Sequence, residues 1–381
     1  MFNPKDLTPR FAARLIDRDY YSAQAGQAFT DGESAFLHFV AEGQARNLNP
    51  SPFFYTEWYR WQNSTAKFAS ALHHFVERAA FGPIDPAPFI DSVAFLAANP
   101  AYTSILSVLI ALTERRDTSV SKNLDDHLSH LALRQQSVHS SIRSSVIRMQ
   151  PTVRKRLVWV QAGAGFSTTK WFRPDAPRSW DLMCIWYTLA GLDLSHGEIH
   201  LRQSGTKSTA IHHVLRNDPA FLERYDQILF LDDDLTVDHP DIDRLFDIAA
   251  HGQLDLFQAS LLPESYCVWP DLFRKSKSGI RKTTGVEIMM PGFTRAALFS
   301  SRDIFGRSVS GFGLDFMLSE RLRQAGGKIG VVDAVAFGHF SKIDEIGGAY
   351  YRLMRALGIN QKLELFSAIQ ELGKLPTFHD I

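Results

Sequence analysis

The run Gln227-Ile228-Leu229-Phe230-Leu231 leads straight into Asp232-Asp233-Asp234. An apolar stretch of this length, free of turn formers, reads as a buried β-strand. The three carboxylates at its end repel one another unless a cation or protons neutralise them. In open α/β sheets, ligands bind outside the carboxyl ends of the strands. Hard oxygen donors in that place suit Mg²⁺ or Mn²⁺ bridging a diphosphate. The plain alternative is an acidic loop whose Asp caps a following helix.

The surrounding pattern agrees with a sheet. Leu157–Gln161, Leu182–Tyr187 and Glu198–Leu201 read as strands, and about Thr206–Asn217 as a helix. Further strands are expected at Leu254–Ala259, Val286–Met290 and Ile329–Val332. Strands alternating with helices predict an α/β domain with a mostly parallel sheet and helices on both faces. Gly163-Ala164-Gly165 lacks the third glycine of a dinucleotide fingerprint and reads as a turn. Two helices, Tyr350–Leu357 and Gln361–Leu372, are expected to close the domain.

Chemistry-bearing residues recur after the acidic triplet. In Gly311-Phe312-Gly313-Leu314-Asp315, two glycines allow close approach of a ligand, and a carboxylate follows at the start of a helix. Such a group can act as general base toward a hydroxyl, or simply cap the helix. His339 follows the strand that ends near Val332-Asp333. Lys207, on the helix before the acidic strand, is a candidate contact for the diphosphate or the base of a nucleotide, or a solvated lysine. Glu287 is expected on a strand beside Pro291-Gly292. The segment Arg274–Lys282 carries five positive charges and no acid. It reads either as a solvated loop or as a mobile loop that closes on phosphates or holds an anionic acceptor. Tyr266, Trp269 and Phe273 are candidates for sugar stacking or for core packing.

The first hundred or so residues repeat themselves weakly. Ser34–Val40 matches Ser70–Val76, and Pro50–Phe53 matches Pro86–Phe89, both at an offset of 36. Tyr20-Tyr21 matches Trp58-Tyr59 at 38. Periods of this size mean supersecondary units that bury one face on the next copy. Each unit reads as an aromatic-anchored helix, a second helix with a His-Phe pair, and a Pro-rich turn. His38 and His74 are read as packing residues. Over 121–150, Leu124, Leu128, Leu131, Gln135, Val138, Ile142, Ser145 and Met149 form a heptad seam. Three readings stay open: a helix packed on its own chain, a homodimer contact, or a basic helix at a membrane surface.

Composition excludes several classes. Forty-one Lys+Arg balance forty-one Asp+Glu over 381 residues, unlike a uniformly basic nucleic-acid binder. The balance is a cancellation: 223–247 holds nine acids against two arginines, and 121–156 seven bases against two acids. Two cysteines make no disulfide framework and suit a reducing compartment. Met1–Asp6 is polar and carries no visible signal peptide, and the apolar run Ile105–Leu112 is too short to span a bilayer. A cytoplasmic location is expected, with peripheral contact on the inner membrane face as a variant.

At the acidic triplet, Gly311–Asp315 and His339, the sequence resembles the GT-A glycosyltransferase superfamily. More narrowly, Thr284–Ala297, Gly311–Asp315 and Gly330–Asp333 look like domain-of-unknown-function family 707, with Phe312 where Trp is more usual. The N-terminal repeats resemble those attached to bacterial surface-polysaccharide glycosyltransferases. The resemblance implies a GT-A-like, Rossmann-like sheet preceded by a mainly helical region. It implies a metal-dependent, inverting transfer from a nucleotide-diphosphate sugar to a surface glycan or lipid-linked acceptor. Asp232, Asp234 and His339 would hold Mn²⁺ or Mg²⁺. Asp232, Asp233, Lys207, Glu287, Gly292 and Gly313 would contact the donor, and Asp315 would be the base. The implied organisation is a repeat domain over 1–100, a helical linker over 101–155, a catalytic domain over 156–345 and C-terminal helices over 346–381. The rival readings are a metal-dependent phosphohydrolase or nucleotidyltransferase, and a non-catalytic glycan-binding scaffold.

Overall fold

The computed structural model describes residues 8–64, 68, 70–173, 176–277, 279–374 and 377–381. Met1–Asp6 and Ser278 of the basic segment lie outside them. The chain divides into two compact units, Met1–Leu131 and Ala132–Ile381. Among the described residues no helix is long and apolar enough to cross a membrane.

The first unit is helical, and its repeat is written in hydrogen bonds. The Tyr21 hydroxyl meets His38 Nδ1 at 2.8 Å, and the Tyr59 hydroxyl meets His74 Nδ1 at 2.8 Å. Thr56 Oγ1 donates to Leu48 O at 2.7 Å, and Ser92 Oγ donates to Ile84 O at 2.9 Å, 36 residues on. The backbone amides of Thr56 and Ser92 likewise donate to Asn49 Oδ1 and Asp85 Oδ1. Asp17 N bonds Pro50 O, and Tyr55 N bonds Pro86 O, so each Pro-rich turn ties back to the helix entry before it. Tyr21 and Tyr59 are fully buried, and their rings stack edge-on against Phe39 and Phe75. Burying such rings with a satisfied hydroxyl is what lets a short unit hold a core. The apolar run at 105 forms the buried helix Ile105–Thr113.

The second unit is built on a ten-stranded sheet. The strands are β1 (Ser144–Met149), β2 (Arg156–Ala162), β3 (Trp180–Trp186), β4 (Ile199–Gln203) and β5 (Gln227–Asp232). They continue with β6 (Leu235–Thr236), β7 (Leu256–Leu261), β8 (Ile280–Lys282), β9 (Gly292–Thr294) and β10 (Ile329–His339). Their order is β1-β4-β3-β2-β5-β9-β7-β10-β6, with β8 also on β10. β4, β3, β2 and β5 are mutually parallel. β9 lies antiparallel between β5 and β7, which pairs in parallel with β10. Six strands therefore point the same way, and the α/β, mostly parallel sheet expected from the sequence is present. One face packs Trp159, Phe230 and Phe293 against Ile211, Leu298, Phe305 and Leu318 from the helices.

Three expectations differ. The heptad seam stops at Ser141, where the helix Leu124–Ser141 ends, and 144–149 turns into the edge strand β1 against β4. Ser144-Ser145 followed by β-branched Val146-Ile147 favours strand over helix. Val138 and Ile142 are buried in their own chain, and Gln135 bonds Glu364, so this stretch of the seam is not left for a second copy. Val286–Met290 is a turn-containing loop rather than a strand. Val286, Met289 and Met290 are buried because the loop runs along β5, with Phe230 N bonding Pro291 O and Asp232 N bonding Met289 O. The basic segment is tied down: Lys275 pairs with Asp271 and Asp380, and Arg281 with Asp333 and Asp380. Arg281 sits in β8, which is paired to β10.

Candidate functional site

Because six strands share one direction, the ends of β5 and β10 reach the same edge of the sheet. The two-residue strand β6 makes the junction closer, pairing Leu235 with His339 and Thr236 with Gly338. Asp234, one residue before β6, is thereby brought to His339, whose Nε2 lies 3.2 Å from Asp234 Oδ2. His339 Nδ1 lies 2.7 Å from Tyr266 O. A carbonyl only accepts, so Nδ1 carries the proton and Nε2 is the atom offered to Asp234. The hydrogen bond that Asp234 accepts outweighs burial and pushes His339 up to about 9. Burial is the largest influence on Asp234 and opposes its ionisation, but the hydrogen bond and charge of His339, together with bonds from Ser341 and the backbone, outweigh it and lower the pKa.

A cavity of about 430 Å³ opens at this edge. Its wall includes Gln161, Tyr187, Lys207, Asp232–Asp234, Glu287, Ser310–Phe312, His339 and Tyr350. Thr206 caps the helix Lys207–Asn217 through a reciprocal bond with Thr209, which makes Lys207 the first helical residue. Its stem is buried, and Nζ reaches Asp232 Oδ1 at 2.6 Å and Met289 O at 2.9 Å. The start of that helix, Thr206–Ser208, therefore lines the cleft and brings a lysine to it, an arrangement that favours anions.

Desolvation raises the Asp232 pKa, against the pull of Lys207. Asp233 is pushed up to about 6 by desolvation and by Asp232. It accepts from Gly163 N at 2.7 Å. A Cβ on Gly163 would strike the Tyr187 hydroxyl at 1.8 Å, so the turn read at 163–165 needs glycine for this approach.

Two further carboxyls share this region. Glu287 lies on the cavity wall, and its Oε2 is buried with no hydrogen-bond partner among the described residues. Desolvation and then the Asp232 charge push it up to about 7. Asp315, in the first turn of the helix Leu314–Gln324, is buried and is not among the residues lining the cavity. Burial and then Glu287 push it up to about 8. Gly292 and Gly313 do not line the cavity either. A Cβ on Gly292 would meet the Phe257 ring at 2.3 Å, and Gly313 caps its helix at φ +84°, so packing and backbone geometry account for both.

Of the expected cation ligands, Asp234 and His339 come together, whereas Asp232 is held by Lys207. Among the described residues no group of three or more His, Cys, Asp or Glu side chains is arranged to hold a metal ion. Asp234 and His339 alone form a converging oxygen–nitrogen pair. Once Nε2 gives up its proton, such a pair can hold a divalent cation that takes its remaining shell from phosphate oxygens and water.

Sequence reasoning missed Glu364. This buried carboxylate accepts from Gln135 Nε2 (2.7 Å), Val309 N (2.8 Å), Ser308 Oγ (2.8 Å), Ser310 N (2.9 Å) and Ser310 Oγ. Tyr350 adds a bond from its hydroxyl to Ser310 O at 2.6 Å. Together they fix the loop that carries Gly311 and Phe312 into the cavity. The sole signal was one acid between Leu363 and Leu365 on an apolar helix face. Gln161 and Tyr187 were missed as well, since they belong to no motif.

No protein-family model and no curated protein matches the chain. Among solved structures it is similar to a putative nucleotide-diphospho-sugar transferase from Desulfovibrio desulfuricans G20. The identity is 13%, over 55% of this chain and 97% of that one, at a TM-score of 0.30. It is also similar to S. aureus TarS, with 12% identity over 53% of this chain and 39% of that one, at a TM-score of 0.33. Matches at these TM-scores leave the fold to be read from the sheet itself, and the chemistry from the cleft.

Proposed function

We propose that this chain is a GT-A-type glycosyltransferase that moves a sugar from a nucleoside-diphosphate sugar to a hydroxyl acceptor. One observation carries the reading. A single cavity at the strand ends holds both a lysine set among carboxylates and, on its wall, a carboxyl oxygen with no partner. The first set suits a diphosphate, and the second a hydroxyl proton.

In this reading Lys207 turns from Asp232 to the donor diphosphate, and Asp232 and Asp233 contact the donor. A cation held by Asp234 and His339 would neutralise charge on the departing diphosphate. The acceptor oxygen attacks the anomeric carbon. The bond to the diphosphate oxygen breaks and its electron pair leaves with the diphosphate. The hydroxyl proton passes to Glu287, whose pKa near 7 suits a base at neutral pH. Asp315, expected as the base, is placed here as the charge neighbour that shares the titration of Glu287. A single displacement of this kind inverts the anomeric centre.

The acceptor we favour is lipid-linked. Val268, Ile343 and Leu353 line the cavity mouth and remain exposed, and Ile346 is exposed nearby in the chain. Branched aliphatic side chains do not stack on sugar faces as aromatic rings do, and they suit an alkyl chain. The N-terminal repeats are proposed to hold the acceptor or a second protein. Calorimetry with UDP, GDP, ADP and CDP, with Mn²⁺ and again with chelator, tests the donor half. Binding that needs the cation supports the proposal, and no binding of any of the four sinks it.

A further inference from the structure

Gln161 is the penultimate residue of β2, paired to Ile185 on one side and to Asp232 on the other. Its side chain is 7% exposed, and it lines the same cavity as Asp232 and Lys207. Neither Oε1 nor Nε2 has a hydrogen-bond partner among the described residues. A buried carboxamide with both ends unpaired is costly, and native interiors rarely keep one without a use. On the neighbouring strand end stands Tyr187, half exposed on the cavity wall, with its hydroxyl bonded to Asp233. The cavity thus offers, side by side, one donor, one acceptor and an aromatic ring.

We infer that Gln161 reads an amide-type edge of the donor substrate, a neighbouring N–H and C=O that pair with its own Oε1 and Nε2. This rests on the nucleotide-sugar reading above and makes it more specific. Two parts of a donor carry such an edge: a nucleobase, whose flat face also suits Tyr187, and an acetamido group on the sugar. A hydrophilic sugar lacking nitrogen carries none. The residue therefore sets which donors are accepted. Lys207 and the carboxylates act on the diphosphate, which all donors share.

The test uses the full chain and two variants, Gln161→Met and Gln161→Glu. Gln161→Met keeps the length and removes both polar ends. Gln161→Glu replaces the N–H donor by a carboxyl oxygen, keeps an acceptor, and adds an ionisable group beside Asp232. Calorimetry is run with the diphosphate that binds the unaltered chain best among UDP, GDP, ADP and CDP, and with UDP-glucose against UDP-N-acetylglucosamine. Gln161→Met is expected to weaken recognition by about tenfold or more, with a melting temperature equal to or above that of the unaltered chain. A purely structural glutamine would lower the melting temperature instead.

Loss that falls equally on the free diphosphate and both sugars assigns Gln161 to the base. Loss confined to the preference for the N-acetyl sugar assigns it to the acetamido group. Unchanged affinity and unchanged preference in Gln161→Met overturn the inference while leaving the nucleotide reading standing. So does a Gln161→Met chain that loses binding only with its fold while Gln161→Glu binds normally. If the unaltered chain binds none of the diphosphates, both readings fall together.

Discussion

Lys207 Nζ stands 2.6 Å from Asp232 Oδ1, on the first residue of a helix whose start faces the end of β5. Two charges from separate elements thus meet at the one place in the sheet where three consecutive carboxylates end a strand. Lys207 neutralises one of the three, and His339 answers another at Asp234. Replacing Lys207 by Met leaves Asp232 beside Asp233 and Asp234 without its counter-charge. The Asp232 carboxylate is 38% exposed, so screening limits the stability loss to about 1–3 kcal/mol. Nucleoside-diphosphate affinity should fall by about tenfold or more, because the cation proposed to meet the phosphates is gone. Urea denaturation and calorimetry measure the two effects separately.

Glu364 should matter far more than its distance from the carboxylates implies. It gathers five hydrogen bonds onto one buried carboxylate and so shapes the 308–312 loop. Glu364→Leu strands those donors and should cost several kcal/mol, on the order of 3–5. Glu364→Gln keeps the shape but turns an amide N–H against Ser310 N, and is expected to lie between. Both should lower transfer more than nucleotide binding. Equal loss of the two would assign Glu364 to the fold alone.

The raised carboxyls give a pH signature of defined sign. Glu287 is pushed up to about 7 and Asp315 up to about 8, against 4.5 and 3.8 for the ordinary groups. Between these limits the folded chain binds more protons than the unfolded chain, so stability falls as pH rises. The contribution is full below about pH 4 and is lost as the pH passes through 7 and 8. The melting temperature should therefore drop between pH 5.5 and 8.5, and drop less in a Glu287→Gln/Asp315→Asn double variant. Transfer should run the other way, rising through about pH 7 as the pair gives up its first proton.

In the N-terminal unit, Tyr21 with His38 and Tyr59 with His74 repeat one hydrogen bond at 2.8 Å. Tyr59→Phe removes the hydroxyl and leaves the ring, so about 1 kcal/mol should be lost. Tyr21→Phe should cost a similar amount, since the geometry is the same. Urea midpoints of the two variants check this. A neutral result in both would mean that the imidazoles hold no share of the repeat's stability.

The β-strand that runs into Asp232–Asp234 was legible because burial and charge change at one residue. β2, β3, β4 and the helix at 207 were legible for similar reasons, each being an apolar run ended by a turn or a cap. Val286–Met290 misled because Val286, Met289 and Met290 are buried without being in a strand. Hydrophobicity reports burial, and here a loop is buried by running along β5. β6 is two residues long and carries no periodicity, although it brings Asp234 to His339. Local pattern cannot show such a pairing. Asp315 stood out through its glycines, of which Gly313 serves the helix cap and Gly311 lines the cavity that Asp315 itself does not. Gln161 and Glu364 carry no motif at all, and their importance lies in what surrounds them after folding.

The central claim is that this cleft cleaves the bond between a sugar and a nucleoside diphosphate. The most direct measurement is the nucleotide released from a panel of nucleotide sugars with Mn²⁺, resolved by chromatography, with and without a lipid-linked acceptor. Release of nucleoside diphosphate that rises with acceptor and is lost in Asp234→Asn and Glu287→Gln is the predicted result. Release of nucleoside monophosphate or free phosphate, indifferent to acceptor, would contradict the account and favour a phosphohydrolase. So would no release from any donor.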